Sequence, residues 1–83
     1  MEKRELVLNE ITKIFRMEFN DPTLEITYGS STHTIDKWDS INNLILLTAI
    51  EERFALIFHI DIILKAKNVG DLCDFIVSNS HKI

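Results

Sequence analysis

Asp39-Ser40-Ile41 stands directly ahead of a long apolar run. Aspartate is a favoured helix N-cap, so this spacing places Ser40 in the first turn of a helix, with loop behind it and core-forming residues ahead. Backbone N–H groups in that turn lack intrahelical partners, and the helix dipole favours negative charge there. A phosphodiester on the Ser40 hydroxyl would therefore sit in a favourable field. The pattern suits carrying a phosphate-linked group better than attacking a substrate. No general base and orienting partner accompany the serine in sequence. The only glycines, Gly29 and Gly70, form no phosphate-cradling loop.

The other chemistry-bearing residues read more plainly. Cys73 falls on an apolar helical stripe, where a free cysteine is a small inert hydrophobe. His33, His59 and His81 sit in a loop, a connector and a tail, without zinc-ligand spacing. Glu51-Glu52 reads as a solvated helix face rather than an acid–base pair. Trp38 reads as packing the loop onto the helices, its indole N–H satisfied at the edge.

The elements that must position Ser40 follow from periodicity. Residues 2–19 form a first helix with Val7, Ile11, Ile14 and Phe15 inward, widened by Leu6 and Phe19; Asn20-Asp21-Pro22 ends it. Residues 23–38 form a long ordered connection. Its alternation Leu24, Ile26, Tyr28 has no second strand to pair with, so it reads as loop. A second helix spans residues 40–55, with Leu44, Leu47, Ile50 and Phe54 as its core stripe and Leu46 flanking it. Residues 56–59 connect to a short third helix over 60–66. Asn68 caps a fourth, with Val69, Leu72, Cys73 and Ile76 buried. The tail over 78–83 is expected to fray. The fold class is all-α: a small four-helix bundle with one long loop.

Composition bounds the function. Eighty-three residues are read as one domain, 1–83, burying roughly 60% of the unfolded surface. Net charge is −4, from 13 acidic and 9 basic residues, which argues against a nucleic-acid partner. A helix-turn-helix DNA reader would need a basic recognition helix; residues 40–55 carry two Glu and one Arg. One cysteine excludes an internal disulfide and fits a reducing cytosol. No segment reaches the roughly 20 apolar residues of a membrane span. The charged start Met-Glu-Lys-Arg-Glu leads into no signal-type apolar core, so cytoplasmic residence is expected.

With these residues in place, the chain resembles the acyl carrier protein family. That family carries Asp-Ser-Leu at the start of its second helix, here Asp39-Ser40-Ile41. Leu44 and Leu47 match apolar positions of that helix, and Glu51-Glu52-Arg53-Phe54 looks like its Glu-Glu-x-Phe ending. Val69, Leu72 and Ile76 fall where its last helix packs. The resemblance covers residues 35–77 and is generic over the first helix. It implies a four-helix bundle and a 4'-phosphopantetheine arm, moved from coenzyme A onto Ser40 by a phosphopantetheinyl transferase. It also implies acyl or related cargo held on that arm as a thioester for acyl-loading and acyl-transferring enzymes. The carrier itself is not an enzyme. Trp38 beside the motif, Leu44-Ile45 and Phe54-x-x-x-Phe58 look like specialised stand-alone carriers rather than fatty-acid ones.

The chain departs from fatty-acid carriers on one face. Helical spacing groups Ile41, Ile45, Thr48 and Glu52 beside Ser40. Ile45 stands where those carriers commonly have glutamate, and only Glu52 keeps a charge. The third-helix region, with Ile62 at its centre, is also more apolar than expected. Partners should therefore be recognised more by apolar contact than by charge. A monomer is expected, with weak self-association through this face. The competing reading is an unmodified helical interaction module, an adaptor or small regulator, that binds through Ile41 and Ile45.

Overall fold

The computed structural model describes residues 2–80, apart from the side chain of Ser40. Four helices follow in order: α1 (Lys3–Glu18), α2 (Ser40–Phe54), α3 (Ile60–Lys65) and α4 (Val69–Asn79), with no strand among the described residues. α1 packs against both α2 and α4.

α1 turns Val7, Ile11 and Phe15 inward at 4-residue spacing, and all three are fully buried. It ends as expected. Asn20 adopts the left-handed conformation (φ 51°), a conformation asparagine tolerates. Just beyond, the Asp21 carboxyl accepts from both the backbone N–H and the hydroxyl of Thr23.

α2 shows one change from the expected register. Leu46 is fully buried and Leu44 is 63% exposed, so the core stripe is Leu46, Leu47, Ile50 and Phe54. The cause is that α2 is apolar nearly all round. Ile41, Leu44, Ile45, Leu46, Leu47 and Ile50 offer two stripes of similar strength, and packing against α1 selects one. The helix closes through Ala55 in the left-handed region (φ 52°), a costly conformation for alanine, with its N–H bonded to the Glu51 carbonyl. Glu51 is not merely a solvated position: its Oε2 accepts the Phe58 N–H at 2.7 Å and fixes the connector to α3.

α3 buries no residue fully. Ile62 and Ile63 lean on the core, while Ile60 and Leu64 face outward. α4 buries Val69, Leu72, Cys73 and Ile76, and Asn68 Oδ1 accepts the Asp71 N–H at 2.9 Å. α4 continues through Asn79, past the expected fray at Ser78, and the Ser80 hydroxyl donates to the Phe54 carbonyl at 2.6 Å. Residues 81–83 of that tail, His81 among them, lie outside the described residues.

The long loop is a docked segment rather than a strand. The first two N–H groups of α4 donate into it, Val69 to the Ser30 carbonyl at 2.9 Å and Gly70 to the Tyr28 carbonyl at 2.7 Å. A Cβ on Gly70 would lie 3.0 Å from that Tyr28 oxygen, so glycine is what lets the two backbones approach this closely without adjustment. Arg4 adds a clasp, its guanidinium over the Tyr28 ring at 4.0 Å and paired with Asp74 at 2.8 Å. Ile26, Ile35 and Trp38 then bury their side chains against the helices.

Candidate functional site

The site is built where the loop meets α2. Asp39 has extended backbone, and its carboxyl accepts the N–H groups of Ile41 (3.1 Å) and Asn42 (2.8 Å). Its carbonyl takes the Asn43 N–H at 2.8 Å, closing the first turn. Two further side chains, which the sequence did not single out, fix the junction. Asn42 Nδ2 donates to the Lys37 carbonyl at 2.7 Å, and the Trp38 indole donates to Asn43 Oδ1 at 2.8 Å. The signal was present as paired asparagines in a helix first turn, where short polar side chains satisfy local backbone groups. The Trp38 ring stands edge-on to Phe15, centroids 5.0 Å apart, which ties the junction to the core of α1.

Ser40 opens α2 between two exposed residues, Asp39 and Ile41. Its side chain lies outside the described atoms. On the face beside it, Ile41 and Ile45 are 72% and 52% exposed, and Thr48 and Glu52 are also exposed. Leu44, expected in the core, joins this face. A shallow depression of about 370 Å³ runs along it, bordered by Leu44, Ile45 and Ala49 with Glu18 and Glu52 at its edges. Ile62 is half-buried and packs against the core; the outward apolar residues of α3 are Ile60 and Leu64.

A second concavity of about 380 Å³ lies behind the junction, between the loop, α2, α3 and the start of α4. Trp38, Leu47, Phe58, Ile63 and Leu72 supply its apolar walls. Asn43 and the exposed residues Thr32, His33 and Lys67 also line it.

No group of His, Cys, Asp or Glu among the described residues is arranged to hold a metal ion. Cys73 is fully buried; loss of hydration pushes its thiol up to about 11, with Asp74 adding and Arg4 opposing. Such a thiol is no nucleophile. No helix among the described residues is long and apolar enough to cross a membrane.

Fold and junction together define a small helical carrier-type bundle with a serine at the capped start of its second helix. A holo acyl carrier protein from Geobacter metallireducens, solved by solution NMR, is similar to this chain at 35% identity and a TM-score of 0.81. The similarity covers 87% of this chain and 83% of that one. The chain belongs to the acyl carrier protein family. No family model matches it, and no curated protein sequence matches it.

Proposed function

We propose that this chain is a phosphopantetheine carrier domain over residues 1–83, with Ser40 as the attachment residue. In this reading it presents acyl or related intermediates to partner enzymes in the cytoplasm, in a specialised rather than a fatty-acid pathway. The observation that carries the reading is the Asp39-capped first turn at Ser40, within a chain 35% identical to a holo carrier. The surroundings fit the group: both chain neighbours of Ser40 are exposed, so a transferase can reach this turn. The bound arm would supply a terminal thiol that holds cargo as a thioester. The protein's own residues do the rest. Asp39 fixes the helix start and Trp38 with Asn43 fixes the loop behind it. Ile41, Leu44, Ile45, Thr48 and Glu52 offer the docking face, with Ile62 supporting α3 beside it.

The test is intact-mass measurement after incubation with coenzyme A and a broad-specificity phosphopantetheinyl transferase. We expect a gain of one phosphopantetheine, absent in Ser40→Ala. A wild-type mass that does not change defeats the proposal and leaves an unmodified interaction module in its place.

A further inference from the structure

The concavity behind the Ser40 junction has a charge pattern opposite to that of the whole chain. Net charge is −4, yet the titratable residues lining this space are both bases, His33 and Lys67, and no carboxylate lines it. Lys67 forms no ion pair with a described carboxylate, although its backbone N–H is held by Asp71 at 2.8 Å. The walls between these bases and the junction are apolar: Trp38, Leu47, Phe58, Ile63 and Leu72. A space of about 380 Å³ stands near the lower end of the roughly 300–1,000 Å³ typical of small-molecule pockets. It therefore suits a short chain, not a long one.

From this pattern we infer that the carried group is a short acyl chain whose far end bears a carboxylate, its methylenes against the apolar walls and its charge beside Lys67 and His33. This rests on the carrier reading above and names its cargo class. Trp38 and Asn43, two residues before and three after Ser40 in sequence, both line the cavity, so part of its wall is built from the junction that carries the attachment residue. Tethering there raises the cargo's local concentration to roughly the millimolar range, enough for weak contacts to matter. His33 and Lys67 are both solvent-exposed at the border of the space, and a plain alkyl end would gain nothing from either. An ammonium end would be repelled by Lys67.

The experiment loads the apo-protein enzymatically from three coenzyme A thioesters of equal chain length: one ending in carboxylate, one in methyl, one in ammonium. Intact mass confirms loading on Ser40, and thermal unfolding and Trp38 fluorescence read the cavity. We expect the carboxylate form to melt about 4 °C above the methyl form, and the ammonium form to melt lowest. The carboxylate advantage should shrink in high salt and vanish in Lys67→Gln, which should load normally. Loading with no carboxylate advantage, or with the methyl form most stable, overturns this inference and leaves the carrier reading intact. Failure to load any of the three overturns the carrier reading itself.

Discussion

The Trp38 indole Nε1–H donates to Asn43 Oδ1 at 2.8 Å across the boundary between the long loop and α2. Trp38 is only 7% exposed, so water cannot readily replace that acceptor. The same ring packs edge-on against Phe15, so one side chain joins α1, the loop and the first turn of α2.

Asn43→Ala should therefore destabilise the fold by about 1–3 kcal/mol, the usual cost of leaving a buried donor unpaired. Urea unfolding followed by Trp38 fluorescence reads it directly. An unchanged midpoint would mean that this hydrogen bond does not hold the junction.

Two leucines on α2 should separate core from surface. Leu46→Ala should cost about 2–5 kcal/mol, as for other fully buried leucines. Leu44→Ala should stay within about 0.5 kcal/mol of wild type. Denaturant midpoints for the pair decide the register of α2; the reverse order would restore Leu44 to the core.

Cys73 gives a pH dependence with a definite sign. Its thiol titrates at about 11 in the fold against an ordinary 9.0, raised by burial. Between those values the unfolded chain has already lost the proton that the folded chain keeps. Stability should thus be complete below about 9 and decline as pH rises toward about 11. Urea unfolding of wild type and Cys73→Ala across this window isolates the effect, because the two proteins differ only in that thiol. Parallel curves would contradict it.

The face formed by Ile41, Leu44 and Ile45 should make partner recognition depend little on ionic strength. With a phosphopantetheinyl transferase as the partner, kcat/KM should fall roughly tenfold in Ile45→Asp. In wild type it should change little between low salt and about 0.5 M, where exposed charge pairs are largely screened. A steep loss with salt would assign recognition to charge instead.

What the sequence made legible was local. Asp39 and Asn68 declare themselves as caps because a short acceptor ahead of an apolar run has few other uses. Cys73 and its neighbours lie on a stripe with polar residues opposite, so their burial was readable too. α2 was ambiguous for the converse reason. With apolar residues on nearly every side, its inward face depends on what packs there, which separated Leu44 from Leu46 only in the structure. Glu51 resembled any exposed glutamate until the Phe58 N–H was seen seven residues away in sequence. The loop resisted most. Its anchors are carbonyls of Tyr28 and Ser30 meeting the start of α4, and backbone acceptors leave no signature in residue type.

The missing side chain of Gly70 reaches further than its own helix. A methyl group there would meet the Tyr28 carbonyl at 3.0 Å and press on the loop at that point. Thr32 and His33 ride on that same stretch of chain and form one border of the concavity behind Ser40. The wall of the chamber beside the second helix thus leans on an atom that the fourth helix leaves out, because Asn68, which lines that chamber, would also meet a side chain placed at position 70.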